Sequence, residues 1–250
     1  MENKMKNKKI IIISLGGSII CPKPGEINVK FLKEFKNFIL SFLGKGFKFI
    51  IVTGGGKTCR FYQAAAKDIG KTSDEDLDWL GVHSTKINAH LLRTIFQKVA
   101  YRVVLDSPHK RILSKWRLLI ASGWRPGWST DYITVLLAKR FRVREFINAG
   151  NVSFVYNKDP FKYKNLALGG NPVSCFARNK NAVLFKNISW KEYRKIVGSE
   201  WTPGFSSPID PIAAKLAQKL KIRAIVTKGT ELDNLKKIIL GEKFRGTIIE

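Results

Sequence analysis

Ile10 to Ile13 are four β-branched residues in unbroken succession. A strand with one wet face alternates polar and apolar side chains, whereas a strand covered on both faces reads as a continuous apolar run. This segment therefore belongs in the middle of a sheet, and the chain has to supply helices for both sides. It does so in alternation. Asn28 is placed to cap a helix whose apolar residues Val29, Leu32, Phe35, Ile39, Phe42 and Leu43 recur at spacings of three and four, up to Gly44 and Gly46. Phe47 to Val52 reads as a second buried strand. Gly54-Gly55-Gly56 turns the chain into a helix from about Lys57, with Tyr62, Ala65, Ala66 and Ile69 on one face, and a longer helix is expected from Asp76 to Lys98.

Strands are expected near Tyr101 to Leu105, Leu118 to Ala121 and Glu145 to Ala149, with a helix from Thr130 to Arg140. Beyond Asn165 the texture is looser. It holds a strand near Ala182 to Phe185, helices Trp190 to Val197, Asp210 to Leu220 and Leu232 to Leu240, and strands Ile222 to Val226 and Thr247 to Ile249. Such alternation predicts an α/β fold of three layers, α/β/α, with a mainly parallel central sheet whose ligands sit beyond the carboxyl ends of the strands. One domain over residues 1–250 is expected, with two lobes at about 9–145 and 146–250.

Composition excludes several classes. At 44% hydrophobic and 11% aromatic, the 250 residues are too apolar for a disordered chain. Cys21, Cys59 and Cys175 are odd in number and lack metal-binding spacing, and His83, His90 and His109 form no HExxH pattern, so neither a disulfide framework nor a metal site is expected. The basic start before Ile10 resembles the opening of a signal peptide. However, Gly16-Gly17-Ser18 interrupts the apolar run and no small-residue cleavage site follows, so a cytoplasmic location is expected. No run is long enough to span a membrane. Lys and Arg number 45 against 19 Asp and Glu, a formal charge of +26. That balance makes polyanions, nucleic acid included, natural non-specific partners, while a solvated coat of lysines would give the same number.

Two glycine turns carry the chemistry. Gly54-Gly55-Gly56-Lys57-Thr58 follows an apolar strand and opens a helix, where backbone N–H groups can approach an anion. It is not a P-loop, because that pattern needs glycine at position 51, where Ile51 stands. Leu15-Gly16-Gly17-Ser18 repeats the arrangement after the first strand. Two such loops at the ends of adjacent parallel strands suit transfer of a phosphoryl group between two phosphates.

Set in order along the chain, these motifs resemble the archaeal-type uridylate kinases of the amino acid kinase superfamily. The likeness is carried by Ile13-Ser14-Leu15-Gly16-Gly17-Ser18, by Val52 to Arg60, by Asp78-Trp79-Leu80-Gly81 leading to Thr85, Asn88 and Ala89, by Pro126 to Asp131, and by Asn151-Val152, Tyr156, Asp159-Pro160 and Ile209 to Lys215. Isopentenyl phosphate kinases, by contrast, have a histidine shortly after the second loop, where Arg60 stands. The resemblance implies transfer of the ATP γ-phosphoryl group to UMP with magnesium, in a homohexamer. It implies Gly17, Ser18, Lys57, Arg60 and Asp131 as catalytic residues. The acceptor is then held by Gly55, by Asp78 at the ribose, and by a closing loop of Trp124, Arg125, Pro126, Gly127, Trp128, Ser129 and Thr130. ATP is held by Gly17, Ser18, Gly56, Arg60, Gly150, Asn151, Tyr156 and Asp159. The chain departs from the family at Gly150-Asn151-Val152-Ser153-Phe154, where a threonine, an aspartate and a glycine are usual. Another small-phosphate kinase of the superfamily, or a catalytically silent nucleotide- or RNA-binding protein, are the rival readings.

Overall fold

In chain order the elements are β1 (Ile10–Leu15), α1 (Gly17–Ile20), α2 (Val29–Gly44), β2 (Lys48–Thr53), α3 (Gly56–Ile69), α4 (Asp74–Ile95), β3 (Leu118–Ala121), α5 (Thr130–Arg140) and β4 (Glu145–Gly150). They continue with β5 (Val155–Tyr156), β6 (Phe161–Leu168), β7 (Asn171–Arg178), β8 (Leu184–Phe185), β9 (Asn187–Ile188), α6 (Trp190–Val197), α7 (Pro211–Leu220), β10 (Arg223–Lys228), α8 (Leu232–Leu240) and β11 (Thr247–Ile249). The structure is a computed structural model that describes residues 9–157, 161–168, 171–178, 182–200 and 207–250, with 161–168 and 171–178 described by their backbone.

A seven-stranded sheet runs in the order β3-β2-β1-β4-β10-β11-β9. β3, β2, β1, β4 and β10 are mutually parallel, and β11 lies antiparallel to β10. The central isoleucines show why their run does not alternate. Ile11 and Ile13 face a core with Phe35 and Ile39 of α2, Leu92 of α4 and Leu235 of α8, while Ile12 faces the opposite core with Ile133 of α5, Trp190 of α6 and Ala213 of α7. Helices cover both faces, as the three-layer reading requires. The caps follow the sequence: Asn28, Ser73 and Ser129 accept the N–H of Phe31, Asp76 and Tyr132 at the starts of α2, α4 and α5.

At three places the structure differs from, or adds to, the reading of the sequence. Tyr101 to Leu105 forms no strand but touches the sheet at two bridges, Ala100 to Leu118 and Leu105 to Ala121. Val103 and Val104 still face opposite cores, so the burial alternates as in a strand although the ladder is broken. The apolar face of α3 does not point inward: Tyr62 is 56% exposed and Ile69 89%, and the buried side chain of this helix is Gln63. The helical period was legible there, but α3 packs on α4 and leaves its apolar stripe uncovered. The ribbon β6–β7 has no counterpart among the expected strands, and among the described residues it joins no larger sheet.

Tyr193 fixes the segment that enters the site before α7. Its buried hydroxyl donates to the Ile209 carbonyl at 2.7 Å and accepts the Ile209 N–H at 2.9 Å. Tyr193→Phe leaves the Ile209 N–H buried without a partner and its carbonyl with the Ser207 hydroxyl alone, and should lower the unfolding free energy by about 1–3 kcal/mol, read from denaturant titration. An unchanged midpoint would mean that water reaches Ile209.

Candidate active site

The two glycine loops touch each other through backbone alone. Gly54 N–H donates to the Leu15 carbonyl at 3.0 Å, and Gly16 N–H donates to the Ala149 carbonyl at 2.9 Å, so the ends of β1, β2 and β4 are laced together. A Cβ on Gly17 would stand 2.5 Å from the Gly54 carbonyl carbon, and one on Gly56 would stand 2.5 Å from the Gly17 carbonyl carbon. No side chain fits at that approach, and Gly56 also holds φ +70, a conformation that favours glycine. From behind, Asn88 of α4 donates through Nδ2 to the Gly54 carbonyl at 2.8 Å. Both loops run into helix amino ends, which attract anions.

In front of the loops lies a cleft of about 350 Å³, at the carboxyl ends of the strands where the sheet order switches around β1. α3 contributes Cys59, Arg60 and Gln63 to its wall, and α4 contributes Asp78, Gly81, Val82 and Thr85. Among the described residues its lining cations are Arg60 and Arg125, set against the carboxylates of Asp78, Asp131 and Asp210.

The loop before α5 forms the lip. The Arg125 guanidinium lies 4.5 Å from the Trp124 ring centre and 4.3 Å from that of Trp128, a cation–π clamp that ties the two indoles of the lip together. Trp128 in turn meets Tyr132 edge to face at 4.6 Å. Gly127, with φ +76, donates its N–H to Asp78 Oδ2 at 2.7 Å, and this bond ties the lip to α4. Thr85 holds the root of the loop by accepting the Gly123 N–H at 2.8 Å.

Among the described residues the floor is acidic and lacks a cation. Asp131 Oδ1 accepts from Ser14 Oγ at 2.9 Å and from Asn148 Nδ2 at 3.1 Å. Although part of the residue faces the cleft, its carboxyl is enclosed. Burial, then the neighbouring charge of Asp210, push it up to about 7. Burial also raises Asp210, but this residue caps α7, accepting the N–H groups of Ile212 and Ala213 at 2.9 and 3.0 Å as well as the hydroxyl of Ser129. Those donors and the helix dipole favour its anion, so Asp131 is the member of the pair that takes the proton.

Of the residues singled out from sequence, Gly17, Ser18, Gly55, Gly56, Arg60, Asp78, Arg125, Trp128, Ser129, Thr130, Asp131, Gly150 and Asn151 line this one cleft. Trp124, Pro126 and Gly127 build the lip without lining it, Tyr156 stands apart in β5, and Lys57 is exposed on the first turn of α3. Asp159 lies outside the described residues. Sequence reasoning missed Gln63, Asn148, Ser207 and Pro208, which also line the wall. Asn148 left a signal, since a polar residue inside the apolar run Phe146 to Ala149 has to find a buried partner. Gln63 left none, because on α3 the polar residue is buried and the apolar ones are not.

The proton on Asp131 sets a pH dependence. Its ordinary value of 3.8 is raised on folding, so the stability it contributes is present below about 4 and is lost as pH rises through about 7. Asp131→Asn removes that loss. The thermal midpoint of the variant should gain on that of the wild type between about pH 4 and 7, the interval between those two values. A constant difference across that range would show that Asp131 is ionised throughout.

The "Amino acid kinase family" model matches residues 9–168. The uridylate kinase of Methanocaldococcus jannaschii is 32% identical over 96% of this chain and 99% of its own. The crystal structure of uridylate kinase from Archaeoglobus fulgidus superposes with a TM-score of 0.75 at 31% identity, covering 97% of this chain and 100% of that one. UMP kinase from Bacillus anthracis shares the fold, with a TM-score of 0.71 at 22% identity over 97% of this chain and 96% of its own. With likeness sustained from end to end at this level, the chain belongs to the amino acid kinase family, in its archaeal-type uridylate kinase branch.

Proposed function

We propose that the protein transfers the γ-phosphoryl group of ATP to UMP. An oxygen of the UMP phosphate attacks the γ-phosphorus, the bond to the β,γ-bridging oxygen breaks, and UDP and ADP leave. The observation that carries this reading is the backbone contact between the two glycine loops at the head of one cleft. Loops that close can cradle a donor and an acceptor phosphate side by side, and in-line transfer needs positioning and charge neutralisation more than it needs a nucleophile.

In this reading Gly17 and Ser18 face the transferring phosphoryl group, Gly55 and Gly56 face the acceptor and donor phosphates, and Arg60 neutralises charge beside them. Lys57, exposed outside the wall, adds only to the general positive potential. Asp78 takes the ribose hydroxyls in exchange for the Gly127 N–H that it now holds, so acceptor entry and the position of the lip are coupled. The proton on Asp131 keeps the floor from repelling two polyanions. ATP belongs to the lobe of residues 146–250, with Gly150, Asn151, Tyr156 and Asp159 as its contacts, and UMP to the lobe of residues 9–145.

Magnesium enters with the nucleotide. Among the described residues no three His, Cys, Asp or Glu side chains converge as a metal cage, which suits an ion held by phosphate oxygens and water. Bound there, it supplies further neutralisation of the transferring group. A homo-oligomer, a hexamer in this reading, is supported by the uncovered side chains Phe61, Tyr62 and Ile69 on α3 with Trp79 and Ile87 on α4. A cytoplasmic setting fits the substrates, and among the described residues no helix is long and apolar enough to cross a membrane.

The direct test offers UMP, CMP and isopentenyl phosphate in parallel with magnesium and ATP, following ADP. UMP should turn over fastest, and faster turnover of isopentenyl phosphate would refute the assignment. Two variants separate the roles. Arg60→Ala should lower turnover by ~100-fold, the scale of losing one preorganised electrostatic donor. Asp78→Asn should mainly raise KM for UMP, because a ribose contact binds ground and transition states alike; equal loss of ATP and UMP affinity would contradict that role.

A further inference from the structure

The carboxyl edge of the sheet carries the cleft, and its amino edge carries a row of cations. Lys48 pairs in register with Ile10, the N–H of Phe49 bonds the Arg117 carbonyl, and the N–H of Arg223 bonds the Arg144 carbonyl. With Ile13 opposite Ile147, Arg144 lies level with Ile10. Arg117, Lys48 and Arg144 therefore stand in one line across β3, β2 and β4, and Lys9 and Arg223 flank it at the starts of β1 and β10. Strands lie about 4.8 Å apart, so the row spans about 20 Å on a rigid support. The carboxylates nearby, Glu145 and Glu250, are both taken by Arg223.

Part of this charge has a structural use. α2, α5 and α7 run antiparallel to the strands and end at this edge, where cations suit the helix carbonyls. Lys9 Nζ donates to the Ile239 carbonyl at 3.1 Å and Arg117 Nη2 to that of Leu43 at 2.6 Å. Lys48 lies 4.8 Å over the Trp116 ring, which itself meets Phe141 edge to face at 5.3 Å. Exposed Arg142 and Arg144 have neither a carboxylate nor a side-chain hydrogen-bond partner among the described residues. Cations held side by side on strand ends repel one another, and where no carbonyl, ring or carboxylate among the described residues engages them, as at Arg144, an anion from outside relieves that repulsion.

We propose that this amino edge binds the phosphate backbone of RNA, on the side of the sheet opposite the cleft and independently of it. A polynucleotide presents negative charges in a regular line, which matches a regular line of cations. A bilayer would need apolar side chains to insert, and the exposed aromatic residues Phe61, Tyr62 and Trp79 are on α3 and α4 instead. The site is sequence-independent, because the contacts proposed are to phosphates, which are the same at every base.

The test measures binding of a labelled RNA oligonucleotide to the full chain across a salt series, for two double charge reversals. Arg117→Glu with Arg144→Glu alters the edge. Lys30→Glu with Lys33→Glu changes the net charge equally on α2, where both lysines are exposed. The edge pair should weaken RNA binding by about tenfold or more and flatten the salt slope by about 0.7 for each lost phosphate contact on a single strand, while the α2 pair changes little. Equal losses from both pairs would reduce the charge to a diffuse coat and overturn the site, as would tighter wild-type binding to phosphatidylserine vesicles than to RNA at the same salt. Thermal unfolding confirms that each variant folds, and Arg117→Gln with Arg144→Gln replaces an edge pair that does not. Absence of UDP formation by the wild type would refute the kinase reading and leave this one standing.

Discussion

The contact on which the site depends is made without side chains. Gly17 lies against Gly54 and Gly56 so closely that a methyl group on Gly17 or Gly56 would enter the opposite backbone. Three parallel strands bring the loops there, and hydrogen bonds from Gly16 to Ala149 and from Gly54 to Leu15 hold them. The sheet thus does more than carry the loops: its register sets the gap between two anion cradles. Packing behind it is consistent with this demand, since Asn88 spends a buried amide on the Gly54 carbonyl.

Charge in the cleft is arranged against the general character of the protein. A chain of formal charge +26 places on this wall two described cations, Arg60 and Arg125, and three carboxylates. Each carboxylate is restrained. Asp78 is engaged by a backbone N–H of the lip, Asp210 by a helix amino end, and Asp131 by Ser14 and Asn148 with its own proton. Two phosphorylated ligands then meet a floor with little net repulsion. A row of cations sits at the other edge of the sheet, where helix carboxyl ends receive Lys9 and Arg117.

Several features of this arrangement stand in the residue order. The isoleucine run specified a doubly covered strand, the capping residues Asn28 and Ser129 specified where helices begin, and the two glycine turns specified where backbone could approach an anion. These are local properties, readable because a strand's period, a cap's hydrogen bond and glycine's freedom act within a few residues. The hydrophobic period of α3 was equally plain, yet its meaning was not, since an apolar stripe announces burial without naming what covers it.

What only the tertiary structure decided is which distant residues share a space. Asp78 meets Gly127 across the cleft, Asp131 meets Ser14, Asn148 and Asp210 from four elements, and Gln63 turns inward while Tyr62 and Ile69 turn out. The row of Arg117, Lys48 and Arg144 exists only in the register of the sheet. By itself the sequence determined the alternation of strands and helices and the chemistry of the glycine loops, because those rest on neighbours along the chain. The proton on Asp131, the latch on the lip and the cation row rest on desolvation and on charges brought together from far apart, and those forces come into being only when the chain has folded.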